Sequence, residues 1–368
     1  MAQASLPLNG LTVVALEQAV AAPFVSSRLA DAGARVIKIE RPGGDFARGY
    51  DDVAKGQSSY FVWLNRGKES VAADLTKPED KAMFAELLAG ADVLIQNLKP
   101  GALERLGFSF EHLATEYPRL IVCSISGYGE TGPMADRKAY DLLIQAETGL
   151  CSITGGPEGP SRVGISIVDI ATGATAHAAI LEALIRRGIT GNGAQISISM
   201  FDVMADWLTV PLLQQEGGKP PKRLGLAHPS ISPYGVFTCK DDRQILISIQ
   251  SDREWVKLAA EFIGRPELGH DPKYATNVAR VENRSATDGA VADAFAAMTG
   301  EEAVEKLIKA DIAFASMNDM ALLSSHPQLR RITVDTPNGP VSYPAPAPIF
   351  SDDTRRYGAV PPVPVRTA

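Results

Sequence analysis

Short apolar runs alternate with amphipathic stretches from residue 10 to residue 215, and this alternation predicts an α/β fold with a largely parallel sheet. The apolar runs predicted as strands are residues 11–16, 35–40, 71–75, 91–95, 119–126 and 195–200. The stretches with apolar side chains three or four positions apart are predicted as helices at residues 23–32, 79–88, 102–106, 141–150 and 201–215. Because strands and helices follow one another in turn, we expect helices on both faces of the sheet.

The pattern changes after residue 215. Residues 216–223, EGGKPPKR, have the composition of a linker. Beyond it the sequence predicts a hairpin (235–239 and 244–249), then helices at 252–263, 284–298 and 301–309. The Pro- and Gly-rich end, with a second hairpin at 331–335 and 341–344, is expected to return to the first domain. We therefore expect a large domain (1–215 and 320–368), the linker 216–223, and a small α+β domain (224–319).

One junction combines a β-branched run with a helical pattern. Residues 163–168, VGISIV, are predicted as a buried strand that turns at Asp169. The helix that follows has apolar residues at the spacing of one face and is expected to end at Arg186, Arg187 and Gly188. The carboxylate of Asp169 would thus lie where a strand meets a helix, a place where α/β proteins form ligand crevices.

Two interpretations of Asp169 follow from its position. Its carboxylate can be an ordinary N-cap that accepts hydrogen bonds from the first turn of the helix. Alternatively it can be a reactive group, because the small residues 171–174, ATGA, leave that turn open to a ligand. The junction by itself does not decide between them.

Composition narrows the class of protein. The chain has 368 residues, 45% of them hydrophobic and 21% charged, as in an ordinary globular protein. The net charge of −7 argues against a nucleic-acid partner. Three cysteines without CxxC spacing and five dispersed histidines predict neither a disulfide framework nor a metal site. With no apolar run of membrane-span length and no signal-peptide pattern, we expect no membrane partner and a cytoplasmic location.

The familiar nucleotide and hydrolase motifs are missing. The first strand–helix turn has no GxGxxG, and residues 127–132, GYGETG, match that pattern but are followed by Pro133 rather than by a helix. Neither a GxSxG elbow nor a P-loop is found. What remains is a set of basic residues in turns near strands, which favours an anionic, phosphate-bearing ligand: Arg41, Lys68, Lys99, Arg105 and Lys138. A carboxylate such as that of Asp169 is then a candidate for covalent catalysis.

Five ordered segments resemble the family III CoA-transferases, which include formyl-CoA and carnitine CoA-transferases and are related to α-methylacyl-CoA racemase. The segments are KIERPGGDFARGY, NRGKESVAADL, NLKPGALERLG, SISGYGETGP and VDIATGATAHAAILEAL, and together they extend over most of the chain. The resemblance implies an interlocked homodimer of two ring-like chains. Each chain would have a Rossmann-like large domain, completed by the C-terminal tail, and a small domain in the middle.

The resemblance also implies roles for residues. Asp169 matches the family nucleophile, which forms a mixed anhydride with the acyl group and then an aspartyl-CoA thioester. CoA is then a substrate, with acyl-CoA and a carboxylic acid as the partners and no permanently bound cofactor or metal. The positions matching the family's CoA contacts are Arg41, Ala73, Asn97, Leu98, Arg105, Lys138 and Met200.

Departures from the family pattern bear on the substrate. Val20 stands where formyl-CoA transferase has a glutamine near the reacting carbonyl, which argues against formyl or oxalyl chemistry. Tyr140 stands where the racemases have a histidine, so transferase chemistry is favoured over racemisation. Lys222, Arg223 and His228 could receive a second carboxylate, and we expect a C4–C5 dicarboxylic acceptor. Val20, Tyr140 and His228 are therefore the predicted substrate contacts. An acyl-CoA racemase or epimerase and a non-catalytic CoA-binding protein remain the alternatives.

Overall fold

The computed structural model describes residues 6–351 and 355–365, and these form two compact units. The sheet unit comprises Met1–Leu150, Arg162–Leu213 and Arg330–Ala368 within the described residues. The smaller unit comprises Cys151–Ser161 and Gln214–Leu329. These bounds differ from the expected ones at 151–161, 214–223 and 320–329, which belong to the smaller unit. Segment 151–161 does so because the amide of Gly225 donates to the carbonyl of Gly155.

The sheet unit is built on six parallel strands in the order β3-β2-β1-β4-β5-β6. The strands are β1 (Thr12–Leu16), β2 (Arg35–Glu40), β3 (Lys68–Ala72), β4 (Val93–Gln96), β5 (Ile121–Ser126) and β6 (Ala194–Ser199). In register, Val13 of β1 lies between Val36 and Val93. The predicted α/β class with a parallel sheet is therefore confirmed.

Helices cover both faces of this sheet. The helices of the chain up to residue 216, two of which (α7 and α10) extend into the smaller unit, are α1 (Ala21–Asp31), α2 (Ser59–Leu64), α3 (Pro78–Ala89), α4 (Ala102–Arg105), α5 (Phe110–Glu116), α6 (Asp141–Glu147), α7 (Leu150–Ile153), α8 (Ile167–Thr190), α9 (Met200–Trp207) and α10 (Thr209–Glu216). One face packs Val13, Ile95 and Ile121 against α1 and α8, and the other packs Val14 and Leu94 against α3 and α5. Alternate residues of a strand thus serve opposite cores, as its period of two requires.

The predicted strand at 163–168 is wrong. Gly164 and Ile165 are exposed, and α8 already begins at Ile167. The amide of Val163 donates to the side chain of Gln145 at 2.9 Å rather than to a neighbouring strand. β-branched composition favours a strand only when a partner strand is present. The sheet ends at β6, so this segment has no strand to pair with. The helix also runs past Gly188 to a left-handed Gly191 at φ 80°.

Helix α8 has the length and composition of a membrane-crossing segment, with a mean hydropathy of 1.3 over its most apolar part. Its sequence was expected to contain no such run. Within the sheet unit, α8 packs closely against α1 at Gly173. A Cβ there would lie 2.8 Å from the carbonyl oxygen of Ala21 and 2.9 Å from the Phe24 side chain, so this helix contact requires glycine.

The smaller unit contains an antiparallel sheet in the order β7-β8-β9. Its elements are β7 (Tyr234–Thr238), β8 (Gln244–Ser248), α11 (Asp252–Lys257) continued by a π-helical stretch (Leu258–Ile263), α12 (Asn277–Glu282), α13 (Arg284–Ala296), α14 (Gly300–Lys309), β9 (Phe314–Ser316) and α15 (Met320–Ser324). Trp255, Phe262 and Phe295 are fully buried in its core. The predicted hairpin and three helices are present, and β9, α12 and α15 are additional.

The chain returns to the sheet unit at its C-terminal end. Strands β10 (Arg331–Val334) and β11 (Val341–Pro344) form the predicted second hairpin. Val334 and Val360 pack against Phe61 and Val62 of α2. The amide of Gly67 donates to the carbonyl of Ala359 at 2.8 Å. The expected completion of the large domain by the tail is thus present.

Candidate active site

The main cavity lies at the carboxyl edge of the parallel sheet. The chain leaves β1 toward β2 on one side, whereas β4 lies on the other side of β1 and leads on to β5, so the connections diverge between β1 and β4. Such a switch point leaves a crevice where α/β proteins bind ligands. The main cavity has a volume of about 620 Å³. Its wall is formed by residues 18–21, 97–100, 125–127 and 136–142, with Phe46, Tyr50, Tyr60, Arg162, Ser166, Asp169 and Met200.

An adjoining cavity of about 280 Å³ lies beyond the ends of β1, β2 and β3. It shares Gln18 and Leu98 with the main cavity. Arg41 and Ala73 line it, and the guanidinium of Arg41 lies 5.7 Å from the ring centre of Phe46. Because the two cavities share lining residues, they adjoin along the sheet edge. Together they have room for a long, partly anionic ligand.

Most of the predicted site residues line these cavities. Those in the main cavity are Val20, Asn97, Leu98, Lys138, Tyr140, Asp169 and Met200. Those in the adjoining cavity are Arg41, Ala73 and again Leu98. Met200 and Ala73 are also buried, so they contribute to the core as well as to the cavity walls. The roles assigned to these residues stay predictions.

Four predicted contacts line neither cavity: Arg105, Lys222, Arg223 and His228. Arg105 is exposed at the end of α4, where its side chain lies over Gly101, and it lines neither cavity. His228 belongs to the smaller unit and stacks on Tyr234 with ring centres 5.2 Å apart. Arg223, also in the smaller unit, donates to the carbonyls of Gly156 and Ser152. The predicted contacts of these residues with substrate stay predictions.

The N-terminus of α8 is capped by another residue than Asp169. Asp141 Oδ1 accepts the backbone amides of Val168, at 2.8 Å, and Asp169, at 3.2 Å. Ser166 occupies the N-cap position. Among the described residues, none donates a hydrogen bond to the Asp169 carboxylate. The N-cap interpretation is therefore wrong, and the Asp169 carboxylate is available to a ligand.

Burial, together with the neighbouring Asp141 carboxylate, raises the pKa of Asp169 to about 7. Both effects disfavour the anion, because it loses hydration and meets a like charge. A carboxylate with a raised pKa is more basic than usual, so its reaction with an electrophile or a proton is favoured. The arrangement thus suits a nucleophile or a general base.

The phenol groups of Tyr50 and Tyr60 line the same cavity as this carboxylate. Tyr60 Oη lies 3.2 Å from Ser166 Oγ, and the rings of Tyr50 and Tyr60 meet edge to face at 5.6 Å. Burial and then the charges of Asp45 and Asp169 raise the pKa of Tyr50 to about 12. Tyr50 therefore stays a neutral phenol that can donate a hydrogen bond. Sequence reasoning missed Tyr50, Tyr60 and Asp141, which lie far from Asp169 in the chain.

The loop after β1 is held in an unusual conformation. Asn97 accepts the amide of Gln18 at 3.0 Å and donates to its carbonyl at 2.9 Å. Ala19 has a positive φ of 64°, which non-glycine residues rarely adopt. The Asn97 amide is thus already engaged in positioning the loop. Its predicted contact with CoA would have to use the remaining hydrogen-bonding capacity.

A buried charge network adjoins that loop. Glu17 lies 2.7 Å from Lys68 Nζ and 3.5 Å from Lys38 Nζ, and Lys38 lies 2.9 Å from Asp45. All four side chains are almost fully buried. Burial alone would raise the pKa of Glu17, but the charges of Lys68 and Lys38 hold this pKa below its usual value. The prediction that Lys68 helps to bind an anionic ligand is therefore wrong. Its ammonium group donates hydrogen bonds to Glu17, Asn65 and Pro23 instead.

Comparison with known proteins agrees with this architecture. The family model for CoA-transferase family III matches residues 8–364. The acetyl-CoA:oxalate CoA-transferase of Acetobacter aceti is 38% identical over 360 residues, which are 96% of this chain and 92% of that protein. The succinate–glutarate CoA-transferase of Agrobacterium fabrum is 40% identical over 288 residues, 76% of this chain and 72% of that protein.

A solved structure is also similar. The crystal structure of a CAIB/BAIF family protein from Brucella suis has a TM-score of 0.81 and 36% sequence identity, covering 98% of this chain and 96% of that one. Fold and sequence thus agree with the family over nearly the whole length of the chain. The chain belongs to family III of the CoA-transferases, enzymes whose substrates are CoA thioesters.

Proposed function

We propose that this enzyme transfers CoA from an acyl-CoA donor to a dicarboxylic acid through covalent intermediates on Asp169. The observation that carries the proposal is the Asp169 carboxylate, partly buried on the first turn of α8 without a hydrogen-bond donor among the described residues. Relatives named for oxalate and for succinate and glutarate support a dicarboxylic acceptor.

The proposed reaction is a series of acyl exchanges at one carboxylate. Asp169 attacks the donor thioester carbonyl, the C–S bond breaks, and a mixed anhydride and CoA thiolate form. The thiolate attacks the aspartyl carbonyl, which releases the donor acid and leaves an aspartyl-CoA thioester. The acceptor carboxylate displaces the thiolate to give a second anhydride. Attack of the thiolate on the acceptor's carbonyl then yields the new acyl-CoA and regenerates Asp169.

The surroundings of Asp169 suit these steps. Partial burial limits the access of water, which would hydrolyse an anhydride. The phenols of Tyr50, Tyr60 and Tyr140 can donate hydrogen bonds to the oxyanion that forms at each attack. The basic residues Arg41 and Lys138 provide positive charge for the CoA phosphates.

The experiment that tests the mechanism is intact-protein mass spectrometry after incubation with succinyl-CoA or acetyl-CoA. We expect a covalent CoA adduct, converted to a hydroxamate by hydroxylamine, in the wild-type protein. Asp169→Asn should give neither product. CoA binding without an adduct from either donor would contradict the proposal. Deuterium exchange at the α-carbon without CoA transfer would favour the racemase alternative instead, although no histidine is found among the described residues of the cavity wall.

The rate of adduct formation should depend on pH through Asp169. Because burial and Asp141 raise the pKa of Asp169 to about 7, the rate should rise through pH 7 and level off above it. Asp141→Asn keeps an acceptor for the amides of α8 but removes the like charge, so we expect the rising limb to move to lower pH. Glu147→Gln, on the same helix, is the control that should leave it in place. An unchanged limb in Asp141→Asn would contradict the assignment.

We also propose that the enzyme is a homodimer, with the cytoplasm as its expected location. Helices α8, α9 and α10 carry large apolar side chains that are more than half exposed, among them Ile185, Ile189, Trp207 and Val210. Exposed apolar residues in such numbers indicate a protein interface. Light scattering in solution should give the mass of two 39.2 kDa chains, and the mass of one would contradict the proposal.

A further inference from the structure

The main cavity contains four basic side chains that differ in how they are paired. Lys99 lies 3.6 Å from Asp136, and Arg137 lies 3.6 Å from Glu147. Within the described part of the chain, neither Lys138 nor Arg162 has an acidic partner. Arg162 uses only its Nε, which donates to the carbonyl of Val163 at 3.1 Å. Its two terminal nitrogens are therefore available to a ligand.

Arg162 and Lys138 belong to different parts of the cavity wall. Lys138 is in the loop that follows β5, as are Asp136 and Arg137. Arg162 is in the segment that leads into α8, a few residues before Ser166. Of these residues only Lys138 matches a CoA contact of the family, so the guanidinium of Arg162 is left without an assigned function.

Hydrogen bonds connect the segment next to Arg162 with the turn that carries Asp169. The amide of Val163 donates to Gln145 Oε1 at 2.9 Å, and Gln145 Nε2 donates to Asp141 Oδ2 at 2.7 Å. Asp141 in turn holds the first turn of α8 through the amide of Asp169. Gln145 is fully buried, so this connection is shielded from water. The segment that carries the guanidinium and the turn that carries the nucleophile are thus held by one side-chain pair.

We propose that Arg162 binds the distal carboxylate of a dicarboxylic acyl group or acceptor whose other carboxyl carbon reacts at Asp169. A guanidinium can hold a carboxylate through two parallel hydrogen bonds, which sets orientation as well as affinity. Tyr60 and Ser166, which line the same cavity, are further polar groups on that side. This inference rests on the proposed function and assigns to Arg162 the selection of dicarboxylic over monocarboxylic substrates.

The test compares glutaryl-CoA with pentanoyl-CoA, whose acyl chains have the same number of carbons and differ by the terminal carboxylate. The second-order rate of adduct formation should be higher with glutaryl-CoA in the wild-type protein. Arg162→Gln should lower that rate roughly 10- to 100-fold while changing the rate with pentanoyl-CoA little. Arg162→Lys, which keeps the charge but not the paired donors, should fall between. Arg137→Gln is the matched control, because it removes a charge from the same cavity and should leave the ratio of the two rates unchanged.

Equilibrium binding of the same two thioesters, measured by calorimetry, separates this inference from the proposed function. If no adduct forms but the wild-type protein binds glutaryl-CoA more tightly and Arg162→Gln does not, the mechanism fails and the inference stands. If adducts form and Arg162→Gln lowers the rates with glutaryl-CoA and pentanoyl-CoA by the same factor, the inference is overturned and the mechanism stands. The same holds if Arg162→Gln lowers neither rate. A wild-type protein that reacts and binds equally well with both thioesters would also overturn it.

Discussion

Asp169→Asn is expected to lower kcat of CoA transfer by roughly 10³-fold or more, because the amide cannot form the anhydride on which every later step depends. The substitution preserves size and shape, and among the described residues the carboxylate accepts no hydrogen bond that the amide would lose. Binding of CoA should therefore change little. A loss confined to kcat, with binding of the thioester retained, is the result that distinguishes a nucleophile from a group that only holds the substrate.

The same variant should be more stable than the wild-type protein at high pH. The carboxyl group of an unfolded aspartate ionises near pH 3.8, whereas that of folded Asp169 ionises near pH 7. Between these values the folded state holds a proton that the unfolded state has lost, so the free energy of unfolding falls as pH rises. Asparagine does not titrate. Because Asp169 keeps some solvent contact, we expect a gain of about 2 kcal/mol at pH 8, less than the full pKa shift would imply.

Urea unfolding at pH 8 and at pH 4 measures this difference. The gain should be clear at pH 8 and nearly absent at pH 4, because at pH 4 the carboxyl group is protonated in the folded state and only about half ionised in the unfolded state. Asp141→Ala serves as the contrasting variant, because it removes the acceptor that holds the first turn of α8 and should destabilise the protein. Equal stability of Asp169→Asn and the wild-type protein at both pH values would contradict the raised pKa.

Lys68→Met is expected to lower the free energy of unfolding by about 3–5 kcal/mol, because it leaves the buried Glu17 carboxylate without its closest partner. Lys38 remains 3.5 Å from Glu17 but is shared with Asp45. Glu17 directly precedes the Gln18–Ala21 segment of the cavity wall. The fraction of the enzyme that remains folded should therefore also lose activity. The positive φ of Ala19 is kept only while the neighbouring residues, including Glu17, hold the loop in place.

Two control variants separate charge from packing at this network. Glu17→Gln/Lys68→Met removes both charges and should recover a large part of the lost stability, as buried pairs replaced together cost far less than pairs that are broken. Glu69→Gln, next to Lys68 on β3, breaks the exposed pair with Arg35 and should cost less than about 1 kcal/mol. Chemical unfolding monitored by circular dichroism gives all three values. A double variant as unstable as Lys68→Met would show that the lysine acts through packing.

Individual elements show why some predictions held and others did not. Strand β2 was predicted at its exact bounds, 35–40, because an apolar run between a helix and a Pro–Gly turn has one reasonable conformation. The β-branched run at 163–168 has the same local signal, yet it has no strand to pair with. Its amides bond instead to the side chains of Gln145 and Asp141 or within the segment. The sequence predicts both Lys68 and Lys99 in polar turns, whereas Lys68 is the first residue of β3. Only the position of Glu17 in space makes the first a buried structural residue.

The sequence by itself determined the α/β class, the six strands of the parallel sheet, the family and Asp169 as the candidate nucleophile, because periodicity and ordered motifs are local properties of the chain. The tertiary structure decided what surrounds that carboxylate. Asp141 occupies the helix amides, Tyr50 and Tyr60 stand nearby, and Arg162 lines the same cavity with free terminal nitrogens. These residues are far apart in the chain and are brought together because parallel strands end at one edge of the sheet.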